Sequence, residues 1–92
     1  MLFLVQIDLT GADLAAFERH EALVLPLLAH HGARIERRLR GPDDDFETHI
    51  LRFPSQAAMD AYLADPRRAA AAELWLRSGA TAERWEVSDL PL

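Results

Sequence analysis

The 92-residue chain contains no cysteine. That excludes a disulfide framework, a thiol nucleophile and a thiolate metal site. Lysine is missing as well, since all 10 Lys/Arg positions are arginine, and with it go Schiff-base chemistry and the lysine of a phosphate loop. Positive charge is in short supply: 15 acidic residues against 10 basic ones leave a net charge of −5. That is a poor footprint for nucleic acid or for an anionic membrane, so neither is expected as a partner. Long apolar runs are also missing. The longest, Ala22–Ala29, is interrupted by Pro26 and falls far short of a membrane span. Met1–Asp8 has no basic region ahead of its apolar residues and turns polar too soon for a secretory signal, so the expected location is the cytoplasm.

What is present is ordinary globular material, 50% hydrophobic and 27% charged, enough for one domain spanning residues 1–92. A chain of this size buries only about 60–65% of its unfolded surface, which favours association with a second copy.

Leu2 to Leu9 is short and apolar and runs into Thr10-Gly11, the pattern of a strand. One face carries Phe3, Val5, Ile7 and Leu9; the other, Leu2, Leu4, Gln6 and Asp8, becomes polar. From Ala12 to His31 the period changes to that of a helix, with Leu14, Phe17, Val24, Leu25 and Leu28 on one stripe. Its cap is either Asp13 alone or a Thr10–Asp13 box, Gly32 stops it, and Pro26 is expected to bend it. Arg34 to Arg40 alternates, Ile35 and Leu39 against Glu36, Arg38 and Arg40. A turn at Gly41–Asp45 leads to a strand over Phe46–Phe53, with Glu47, His49, Leu51 and Phe53 on the face toward the helices. Ser55 caps a second helical region, and Asp65-Pro66 restarts helix as far as Gly79. Glu83 to Asp89 alternates again, with Trp85 and Val87 expected inward and Arg84 and Glu86 outward.

The order strand, helix, strand, strand, helix, strand with right-handed crossovers is an α+β, ferredoxin-like βαββαβ sandwich: a four-stranded antiparallel sheet with its helices on one face. In Phe17-Glu18-Arg19-His20-Glu21, Val24-Leu25-Pro26-Leu27-Leu28 to His31-Gly32, and His49 to Ser55 with Ala61-Tyr62 and Asp65-Pro66, the chain resembles the dimeric α/β-barrel superfamily. That superfamily includes antibiotic-biosynthesis monooxygenases and ethyl tert-butyl ether degradation-type proteins, and the nearest likeness is to an uncharacterised group within it. The resemblance implies a homodimer built sheet to sheet, with a small-molecule pocket between helices and sheet in each copy. The outward sheet face, where Gln6, Asp8, Thr48, Arg52 and others mix with Leu2, Leu4 and Ile50, suits such self-association.

Glu21 stands out. It lies seven residues after Leu14 and seven before Leu28, in the middle of the apolar stripe, where a carboxylate must find a partner. His49, on the helix-facing side of its strand, is positioned to approach it, and a carboxylate beside an imidazole is a recurrent acid–base arrangement. Glu21 and His49 are therefore the candidate catalytic residues, with His20, Tyr62 and Trp85 as candidate ligand-binding residues. No metal site is expected, because His20, His30 and His31 lack the one-turn spacing of a helical chelate, and Asp43-Asp44-Asp45 lacks the spaced ligands of a calcium loop. No cofactor is expected either. Relatives implied by the resemblance include cofactor-independent oxygenases, cyclases and isomerases. The expected function is binding of a small organic molecule, with or without catalysis of that type; the alternatives are a non-catalytic ligand-binding or regulatory module and a purely structural homodimer.

Overall fold

A computed structural model describes residues 1–92. The elements are β1 (Leu2–Asp8), α1 (Leu14–Val24), a 3₁₀ segment (Leu25–His31), β2 (Arg34–Arg40), β3 (Phe46–Arg52), α2 (Gln56–Leu63), α3 (Pro66–Ala70), α4 (Ala72–Ser78) and β4 (Thr81–Val87). The four strands pair antiparallel in the order β2-β3-β1-β4. This is the ferredoxin-like βαββαβ arrangement. The molecule measures 17 Å along its thin axis, the depth of one sheet and one helical layer, so the far face of the sheet is left uncovered within one copy.

Local chemistry sets the helix ends. Asp13 caps α1 directly, accepting from the Ala16 amide, and Thr10 takes no part. Ser55 and Asp65 cap α2 and α3 in the same way. Pro26 does more than bend the helix: from Leu25 onward the backbone tightens into 3₁₀ geometry, because a residue without an N–H cannot continue the α ladder. Gly32 ends this segment at φ 69°, a conformation that any side chain would resist. The second helical region is three short helices rather than two, broken again at Ala71.

Two expected strand faces are corrected. In β2 the pairing with β3 slips between Ile35 and Arg37, leaving Glu36 as the extra residue of a bulge. Ile35 still faces inward opposite Leu51, but beyond the bulge the phase inverts. Arg38 pairs with His49 and Arg40 with Glu47 on the helix-facing side, while Leu39 turns outward and is 44% exposed. In β4 the register with β1 sets Arg84 opposite Val5 and Trp85 opposite Leu4. Trp85 therefore lies on the outer face beside Leu4 and Ile50, and Arg84 and Glu86 lie on the inner one.

The helix-facing core has two parts. The larger contains Phe3, Leu27, Leu28, Ala33, Leu51, Phe53, Met59 and Tyr62, with Phe53 between Phe3 and Tyr62 at ring-centroid distances of 5.9 and 5.6 Å. The smaller contains Ile7, Leu9, Phe17 and Ala80. Val5 touches both, and its neighbour across the sheet is His49. The polar residues of interest sit at this seam.

Candidate active site

The cap at Asp13 sets the rotation of α1 so that Phe17, His20, Glu21 and Val24 are buried. Glu21 is 4% exposed and His20 6%. Period two on β3 then delivers Glu47 and His49, 1% and 3% exposed, to the same layer. Glu21 Oε1 is hydrogen-bonded to His20 Nδ1 at 3.1 Å. Its other oxygen, Oε2, receives no hydrogen bond from the protein and stands 3.9 Å from His49 Nε2, beyond direct bonding distance.

His49 Nε2 is instead in a short hydrogen bond to Glu47 Oε2. Glu47 also accepts from Arg38 Nε at 2.8 Å and from Arg40 Nε at 2.9 Å. Burial by itself would raise the Glu47 carboxyl, but the hydrogen bonds from Arg38, His49 and Arg40 outweigh it and hold the group below its ordinary value. Glu47 is therefore an ionised acceptor, and His49 must present Nε2–H to it. Behind this pair, Arg38 and Arg40 both reach Glu18 on the exposed side of α1, and Arg40 lies over the Phe17 ring at 5.7 Å. A continuous line of charged and polar groups thus crosses the helix–sheet gap, from Glu18 at the surface through the arginines, Glu47 and His49 to Glu21 and His20.

That line ends at a cavity of about 500 Å³ between helices and sheet. Its wall includes His20, Glu21, His49, Tyr62 and Trp75. Tyr62 is buried and donates to the Val24 carbonyl at 3.4 Å; burial pushes its phenol above the ordinary value, opposed by Arg68 and reinforced by Glu21. Trp75 stacks at a tilt on His20, with 5.1 Å between ring centroids.

Four of the five residues singled out in the sequence, Glu21, His49, His20 and Tyr62, therefore line one cavity. Trp85 does not, because its strand phase sends it to the opposite face of the sheet, where it is 47% exposed. The indole in the wall is Trp75. Its signal in the sequence, the apolar run Leu74-Trp75-Leu76, could not show which of the three turns inward until the helix break at Ala71 was known. Glu47 was also missed as a site residue, although alternation alone puts it on the face of His49.

Glu21, Glu47 and His49 each offer a ligand atom, and these atoms lie within 4.8 Å of one another. A helical one-turn criterion overlooks such a set, because two of its members are two residues apart on a strand. Both oxygens of Glu47 are already engaged, however, by two guanidinium groups and an imidazole, so a cation here would have to displace arginine. The donor set fits an ion-paired cluster better than a metal centre.

No family model matches the sequence, and neither does any curated protein. Solved structures do match in fold. SnoaB, a cofactor-independent oxygenase from Streptomyces nogalater, superposes with a TM-score of 0.70 at 22% identity, over 97% of this chain and 93% of its own. A dimeric ferredoxin-like protein of unknown function from Jannaschia sp. CCS1 gives 0.67 at 16% identity, over 95% and 100%. Rv0793 from Mycobacterium tuberculosis gives 0.63 at 12% identity, over 97% and 96%. These likenesses establish the ferredoxin-like fold that the element order implied. No helix of the chain is long and apolar enough to cross a membrane.

Proposed function

We propose that the protein is a cofactor-independent enzyme of the monooxygenase, cyclase or isomerase type, in which Glu21 takes a proton from a small organic molecule held between sheet and helices. The observation that carries this reading is a buried carboxylate with one unengaged oxygen, set opposite a histidine oriented by an ionised glutamate, in the wall of an apolar cavity. His20 holds the other oxygen of Glu21 and so aims the free one. His49, tied to Glu47, supplies a polarised ring beside the charge that develops when a C–H or O–H bond of the ligand ionises. The resulting enolate or carbanion is itself the reactive species in ring closure, isomerisation or attack on dioxygen. The likeness in fold to SnoaB supports this class. Tyr62 and Trp75 supply the flat walls that hold a ring.

Hydrogen–deuterium exchange at C1 of 2-tetralone in D2O, followed by NMR, tests the assignment. Exchange above the buffer rate is expected, falling by about 10²–10⁴-fold in Glu21→Gln at unchanged fold. Exchange that is no faster than buffer, or no slower in the variant, rejects it.

The same reading makes the active form a homodimer in the cytoplasm. Phe46 and Leu39, 39% and 44% exposed, join Trp85, Leu4 and Ile50 on a sheet face that no helix covers. Light scattering should give twice the chain mass, and Ile50→Glu should shift it toward monomer, because an unpaired charge at a two-fold contact costs several kcal/mol.

A further inference from the structure

Six of the arginines, Arg34, Arg38, Arg40, Arg52, Arg67 and Arg77, hold a carboxylate. Arg68 does not, and it stands in the cavity wall. Its Nε is itself completely buried and has no hydrogen-bond partner. The guanidinium lies over the Tyr62 ring, 4.7 Å from the centroid, and Nη1 donates to the Leu63 carbonyl at 3.4 Å. Stacking and that contact hold its plane. The Nε–Nη2 edge, the edge that grips a carboxylate through two parallel hydrogen bonds, is left without a partner.

A half-buried guanidinium whose Nε is out of water and unpaired is costly where it stands. Around it the cavity is mostly apolar, with 14 hydrophobic residues among the 21 that line it. The complement of such a wall is an apolar body that ends in a planar anion. Asp65 and Glu21 also face the cavity, and their charge weighs against a dianion such as phosphate while tolerating a single negative charge on the guanidinium. The exposed Arg67 next to it is already spent on Asp65, which in turn caps α3 and bonds His31 at 2.8 Å. Arg68 and Arg84 are the cavity-lining arginines that hold no carboxylate, and of the two Arg68 is the one with a buried, unpartnered nitrogen.

We propose that Arg68 is the carboxylate-recognition residue of the cavity and that its ligand is an apolar, ring-bearing organic acid. The proposal rests on the reading above only in taking the same cavity as the site: the acid's carboxylate sits on Arg68 over Tyr62, and its carbon skeleton extends toward Glu21 and His49.

The test is calorimetric binding of 2-naphthoate and of the isosteric neutral 2-naphthamide to the full-length protein. Naphthoate should bind about 10–100-fold more tightly than naphthamide, the range expected for hydrogen bonds to a charged group. In Arg68→Gln the preference should vanish, through loss of naphthoate affinity; Arg68→Lys, which keeps the charge but loses the fork, should retain only part of it. Circular dichroism of both variants checks that the fold is intact, and the lysine variant serves should the glutamine variant lose it. Equal binding of the two probes, no saturable binding of naphthoate, or a preference that survives in Arg68→Gln overturns the proposal. The outcome is distinguishable from that of the proton-transfer reading: the Arg68-dependent preference for naphthoate is read in the parent protein whether or not deuterium exchange into 2-tetralone occurs, and exchange can persist where the preference is missing.

Discussion

The two apolar clusters on the helix-facing side of the sheet are built from similar residues but do different work. The larger, around Phe53, packs Phe3, Tyr62, Leu28 and Met59 with no charged residue among its members, and its Leu51, Met59 and Tyr62 give the cavity its apolar wall. The smaller, around Phe17, is bordered by Arg40 over its ring and by the Glu47 and His49 pair on the neighbouring strand. Dry packing on one side secures the fold, and so permits the costly burial of four ionisable side chains, His20, Glu21, Glu47 and His49, on the other. The seam at Val5 is where the two regimes meet.

That contrast can be broken from either side. The largest effect should come from Phe53→Ala, which empties the centre of the larger cluster and should cost about 3–5 kcal/mol in urea unfolding while leaving the order of the Glu47 ion pairs untouched. A smaller loss, about 2–3 kcal/mol, is expected for Glu47→Ala, which takes the carboxylate away from the imidazole and from two guanidinium groups; Arg38 and Arg40 keep Glu18 and are partly exposed, which relieves some of the penalty. If Glu47→Ala proves as harmful as Phe53→Ala, the ion-paired seam carries more of the stability than the packing does.

The same carboxylate sharpens the comparison through pH. The Glu47 carboxyl is held below its ordinary value of about 4.5, so the stability it contributes is present above that pH and drains away as pH falls through the lower folded-state value. Unfolding free energy should therefore decline below about pH 4.5, and the decline should be shallower in Glu47→Gln. An identical acid limb in the two proteins would mean that the pairing adds nothing.

The smallest effect is expected at Glu21. Replacing it with leucine extends the dry cluster across the seam and should leave stability unchanged or raise it by about 1 kcal/mol, while abolishing proton exchange. A large loss of stability in Glu21→Leu would show that the carboxylate is structural.

Local patterns determined much of this molecule. The element order, and with it the ferredoxin-like fold, follows from alternation and helical period. Asp13, Ser55, Asp65 and Gly32 mark element ends through side-chain oxygens and a positive φ, chemistry that acts within a few residues. Glu21 in an apolar stripe and His49 on an inward face were legible for the same reason, since each belongs to an element whose period is unbroken. The rest depended on partners distant in sequence. The bulge at Glu36 exists only because β2 must register against β3, and it is the bulge that turns Arg38 and Arg40 from an expected outer face onto Glu47. The phase of β4 is set by pairing with β1 along one edge, and none of its own helices covers Trp85, so burial left no readable stripe there. Periodicity assigns a side chain to a face only while the phase runs unbroken and one face is dry; at a bulge or on a sheet edge, the pairing decides.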